Sequence, residues 1–154
     1  MKGLVRIVFV FVVILNSCTR SGNDSNKTTG EVFTTEEGAI NGYDAVAYFN
    51  EAMPIKGNTQ FRYEWNGATW YFSSAANLDI FMTDPEKYVP QYGGYCAYGT
   101  ANGHKAPTQP DAWTIVDGKL YLNYNLDVLG MWRKDKTNLI NEADRNWPEV
   151  KKTN

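Results

Sequence analysis

The sequence predicts an α+β fold: a small single domain with two β-hairpins, each followed by a helix, and a long amphipathic helix at the C-terminal end. Three observations carry this. Asn66-Gly67 and Asp117-Gly118 each stand between strand-like runs, and both central residues of a type I′ turn need positive φ, which Asn, Asp and Gly tolerate best. Behind each turn, apolar residues switch to a spacing of three or four, the period of a helix. The 154 residues, 43% hydrophobic and 14% aromatic, suffice for one buried core and are too apolar for a disordered chain.

The elements follow in order. Lys2 and Arg6 precede an apolar run from Ile7 to Leu15 and then Asn16-Ser17-Cys18, the layout of a bacterial export signal. The run is shorter than the roughly 20 apolar residues of a spanning helix. Leu15-Asn16-Ser17-Cys18 looks like a lipobox, with cleavage behind Ser17 and lipid on Cys18, although Asn16 departs from the commonest form. A plain cleaved signal and an uncleaved anchor are the alternatives. The expected layout is a signal peptide over 1–17, a flexible polar tether over 18–38 and a folded domain over 39–150. Its place is the bacterial cell envelope, lipid-anchored to the membrane and facing the periplasm or the exterior. Loss of residues 1–17 takes away Lys2 and Arg6 and no acidic residue, moving the formal charge from −2 to −4. Nothing in this balance suggests a nucleic-acid partner.

Within the domain, Asp44 is a helix cap for a single turn that sends Val46, Tyr48 and Phe49 to the core. Pro54 and Gly57 mark a loop, and Thr59 to Trp65 alternates apolar with polar residues as a half-buried strand does. It pairs through Asn66-Gly67 with Thr69-Trp70-Tyr71-Phe72. Ser73-Ser74 offers hydroxyls to cap the next helix, along which Leu78, Phe81 and Met82 recur. Thr83-Asp84-Pro85-Glu86 starts another short helix, closed by Pro90. Ala112 to Val116 and Lys119 to Asn123 form the second hairpin. Leu126, Leu129, Trp132, Lys136, Leu139, Ala143 and Trp147 then trace one long helix. Gly130 inside it costs about 1 kcal/mol relative to Ala, which predicts close packing or a bend there.

The pattern W-N-G-x-x-W-Y-F-S-S-x-x-N-x-x-x-F, followed by D-P-E-K-Y, resembles the YHS domain family. Ile40 to Phe49 is similar to the opening of exported members, and Gln91-Tyr92-Gly93-Gly94-Tyr95-Cys96-Ala97 to a motif of the same subgroup. The resemblance implies metal handling, as in heavy-metal transport and some oxygenase systems. Its metal-binding members carry two cysteines where this chain has Ser73 and Asn77. A protonated hydroxyl and a neutral amide are poor ligands for soft metals. Ser73 is therefore read as a helix cap and Asn77 as part of a solvated helix face.

Only two cysteines occur. With Cys18 consumed by lipid, Cys96 is a lone thiol that must be buried, bound or reactive. Gly93-Gly94 permits a sharp turn or a close approach and puts Cys96 in the first turn of a helix, where a thiolate is favoured. His104, the one histidine, joins it as a candidate metal ligand if the chain folds back at Gly103. Two ligands fall short of a tetrahedral zinc site unless carboxylates help, whereas Cys96 with His104 or with a nearby Met suffices for Cu(I), so copper is the first expectation. Tyr92, Tyr95 and Tyr98 are candidates to line a ligand pocket around Cys96. Simple packing of Cys96, surface exposure of His104 and core roles for the tyrosines stand beside these readings. The function predicted is a membrane-tethered binding domain handling a soft metal through Cys96. The alternatives are a thiol redox protein, or a non-catalytic module for a protein or small ligand. No G-x-S-x-G, H-E-x-x-H or phosphate loop appears, so a binding module is favoured over an enzyme.

Overall fold

A computed structural model describes residues 30–153. The expected signal peptide, the lipobox with Cys18 and most of the tether lie outside the described residues. The packed chain begins earlier than Ala39: Val32 and Phe33 are buried, and β1 (Thr34–Thr35) pairs with β2 (Gly38–Ala39) in a minimal antiparallel hairpin. A 3-10 turn over Ile40–Gly42 leads to Asp44, whose Oδ1 accepts from the backbone N–H groups of Val46 and Ala47 and starts α1 (Ala47–Asn50).

Strands β3 (Asn58–Trp65) and β4 (Ala68–Phe72) pair antiparallel through the register Tyr63↔Trp70 and Trp65↔Ala68. Asn66 and Gly67 have φ of 50° and 74°, both positive as the turn type demands. On β4 the alternate residues Ala68, Trp70 and Phe72 point into the core, the period of a strand buried on one face. β5 (Trp113–Val116) and β6 (Lys119–Leu122) form the second of the two predicted hairpins, with φ of 50° and 74° at Asp117 and Gly118. The three hairpins do not merge into a larger sheet.

Helix α2 (Ala75–Thr83) is capped by Ser74, whose Oγ accepts from the Asn77 N–H at 3.1 Å. α3 (Pro85–Tyr88) begins on its proline, a residue suited to a position whose N–H has no intrahelical partner. A second 3-10 turn (Gln91–Gly94) precedes α4 (Ala97–Ala101). The expected single C-terminal helix is two: α5 (Leu126–Lys134), capped by Asn125, and α6 (Lys136–Val150). The break falls at Asp135 (φ −138°, ψ 35°) and not at Gly130, which is exposed with open space where a Cβ would stand. No helix among the described residues is long and apolar enough to cross a membrane.

Burial divides into two clusters. One gathers Val46, Tyr48, Trp70, Phe72 and Phe81 with Leu120 and Leu122 of the second hairpin. Phe81 is its hub, with ring centroids 4.9 Å from Phe72 and 5.3 Å from Trp70. The other joins Tyr92, Tyr121, Leu129, Trp132 and Ala143. β6 feeds both, because adjacent residues Leu120 and Tyr121 point to opposite faces.

Candidate functional site

Among the described residues, three places bear on the residues singled out in the sequence. The first centres on Asp44, which is fully buried. Its Oδ2 accepts from Ser73 N–H at 2.8 Å, Ser73 Oγ at 2.7 Å and Asn77 Nδ2 at 2.8 Å, while Oδ1 takes the two N–H groups of α1. Asn77 is 4% exposed, which corrects the solvated helix face expected for it. Ser73 is not the helix cap, since Ser74 fills that role. The reason is that a buried carboxylate must be matched by donors, and the start of α2 is the element that meets Asp44.

The second place is Cys96, the N-cap of α4. Its sulfur accepts from Gly99 N–H at 3.4 Å and donates to Asn123 Oδ1 at 3.7 Å. Asn123 Oδ1 also accepts from Tyr98 N–H at 3.2 Å, and its buried Nδ2 has no partner. The helix start was expected to favour thiolate. Burial, with Cys96 only 2% exposed, instead pushes the thiol pKa up and outweighs the opposing N–H groups of Gly99, Tyr124 and Tyr98. Gly93 and Gly94 make the close approach expected of them: a Cβ on Gly93 would sit 1.7 Å from Glu31 O, and one on Gly94 2.5 Å from Ile40 Cγ2. Phe33 N–H donates to Gly93 O at this crossing. His104 lies exposed in the turn after α4, with Nε2 3.4 Å from where a Gly99 Cβ would stand. Cys96 and His104 thus both reach Gly99. Among the described residues no three His, Cys, Asp or Glu side chains group in a way that could hold a metal ion.

The three tyrosines do not share a pocket around Cys96. Tyr95 is fully buried, with its hydroxyl on Gly30 O (3.2 Å) and Val32 O (3.4 Å), and its pKa is pushed up to about 12 by burial. Tyr98 packs half-buried on the second cluster. Tyr92 turns the other way and lines the third place, a cleft of about 400 Å³. Its hydroxyl donates to Asp144 Oδ1 at 2.8 Å, and burial together with that bond raises its pKa well above the ordinary tyrosine value.

The cleft takes Glu31 from the N-terminal segment, Trp65 and Trp70 from the β3–β4 hairpin, and Asp144 and Trp147 from α6. Trp65 and Trp70 stand edge to face with centroids 6.3 Å apart, and so do Tyr92 and Trp147 at 5.9 Å. Two aromatic pairs from distant parts of the chain therefore wall one cavity. Neither Cys96 nor His104 contributes to it. The sequence marked Trp147 only as part of an apolar stripe and gave no sign of Asp144 or Trp65 as partners to it.

Residues 46–92 match the YHS domain family. No curated protein and no solved structure matched in the corresponding comparisons. The YHS segment supplies Trp65, Trp70 and Tyr92 to the cleft, whereas Glu31, Asp144 and Trp147 lie outside it. It also contains Ser73 and Asn77, the positions that the resemblance assigns to a cysteine pair. These residues do not fit a soft metal. The lone pairs of Asp44 Oδ2 are engaged by the three donors of Ser73 and Asn77, which bring protons to the place where a cation would need acceptors.

Proposed function

We propose that this chain is a non-catalytic ligand-binding module of YHS type, tethered to the bacterial envelope through lipid on Cys18, with the aromatic cleft as its binding site. The observation that carries the reading is the convergence of Trp65, Tyr92 and Trp147 on one cavity of about 400 Å³. That volume lies in the range of small-molecule sites, which are mostly apolar with a few fixed polar groups. Here the polar groups are Asp144, aligned by Tyr92, together with Glu31, Asn66 and Gln91.

The test is a small-fragment screen of the full chain followed by NMR. Binders are expected to shift the indole N–H signals of Trp65 and Trp147, and Trp147→Ala is expected to abolish the effect. Fragments that bind only elsewhere would overturn the reading.

A second reading, soft-metal handling with copper on Cys96 and His104, draws on the placing of both side chains beside Gly99 and on the acceptance of two ligands by Cu(I), and has against it the burial of Cys96 and its raised pKa. Metal analysis of copper-loaded wild type beside Cys96→Ser decides it: equal copper in both removes it. Thiol redox chemistry is disfavoured by the burial of Cys96 and by its raised pKa.

A further inference from the structure

We propose that the cleft selects small organic cations, an inference that rests on the binding-site reading above and adds the chemical class of the ligand. Its aromatic walls are Trp65, Trp70, Tyr92 and Trp147, and its charged lining residues are Glu31 and Asp144, with no lysine or arginine among them. An ammonium group is attracted to the negative face of an aromatic ring, most strongly to tryptophan. The rings stand in two edge-to-face pairs, and of these Trp70 and Tyr92 are buried, so the half-buried Trp65 and Trp147 are the rings with surface to present to a ligand.

The two carboxylates differ. Glu31 is paired with Lys151 at 3.3 Å, which offsets its charge. Asp144 has no ion-pair partner among the described residues. Its Oδ1 is held by the Tyr92 hydroxyl, a neutral donor that turns the carboxylate without cancelling it. Asp144 therefore presents a net negative charge beside Trp147, three residues on and about one helical turn away. A neutral polyol would use the same rings and could donate hydroxyl hydrogen bonds to the carboxylate, but it would lack the Coulombic and cation–π attraction that a cation adds. An anion would be repelled by the charge.

The experiment titrates the full chain, in a non-ionic detergent at low salt, with choline and with its neutral carbon isostere 3,3-dimethylbutan-1-ol, reading the Trp65 and Trp147 indole signals. Maltotriose serves as the neutral polyol. Choline is expected to bind about tenfold or more tightly than the isostere. Asp144→Asn, which keeps an oxygen for the Tyr92 hydroxyl, is expected to shrink that difference several-fold, to the part the aromatic rings supply. Glu142→Gln, an equal change of charge on the same helix away from the cleft, is expected to leave it intact. Equal binding of choline and isostere, or binding of maltotriose alone, overturns the cation proposal and leaves the cleft reading standing. If no probe or fragment moves either indole signal, both are overturned.

Discussion

Asn77 Nδ2 lies 2.8 Å from Asp44 Oδ2, across a sequence separation of 33 residues, and both side chains are buried. This bond ties the start of α2 to the turn before α1. It also turns the place where the family resemblance expects soft-metal ligands into a structural joint.

Asn77→Ala is expected to lower unfolding stability by about 1–3 kcal/mol, since it strips one donor from a buried carboxylate. Asp44→Asn should cost more. Whichever way the new amide faces, its NH₂ meets donors: the Ser73 and Asn77 groups on one side or the Val46 and Ala47 N–H groups on the other. Urea denaturation of both variants checks the order, and an Asp44→Asn protein as stable as wild type would contradict it.

Gly93→Ala is expected to be severe, about 3 kcal/mol or more, because its Cβ would enter the Glu31 carbonyl while the backbone holds φ at +61°. Gly67→Ala is the matched control. Its φ is also positive, at +74°, but the space around it is open, so only the dihedral strain of about 1–2 kcal/mol remains. Thermal melts of the pair separate close approach from conformational strain.

Stability is expected to fall in alkali. Cys96, Tyr92 and Tyr95 all have raised pKa values in the folded state, that of Tyr95 about 12. The fold therefore holds protons that the unfolded chain releases. The stability linked to them is complete below the unfolded values, near 8.5 for cysteine and 10 for tyrosine, and is lost as pH climbs from there through the folded ones. Chemical denaturation at stepped pH from 7 to 11 should give a falling midpoint above about pH 9.

Lys105 Nζ donates to Gly30 O at 2.8 Å, Lys151 O at 3.1 Å and Thr153 O at 2.6 Å, and stands over the Tyr95 ring. Lys105→Met is expected to loosen both ends of the described fold together. Hydrogen exchange should then show faster labelling at residues 31–33 and 150–153, with β3 and β4 unchanged.

The hairpins were legible because their cause is local: two turn residues and an alternating strand carry the whole instruction. The same holds for the caps at Ser74 and Asn125 and for the Asp44 turn. The break at Asp135 was not legible, since the three- and four-residue spacing runs on from Trp132 through Lys136 to Leu139 across it. Asn77 was misread because its partner comes from a distant segment, and a polar residue on a helix looks solvated until that partner is seen. Cys96 shows the same limit. Its position at a helix start could be read, but not the burial that reverses the expected effect on its thiol. The cleft was the least visible, being assembled from residues 31, 65, 92 and 147, which no periodicity connects.

Glu31 walls the cleft just one residue past Gly30, where the described fold starts. With the lipid on Cys18 as proposed, the twelve residues from 18 to 29 can reach at most about 40 Å. Any guest the cleft holds would then be kept within that reach of the bilayer.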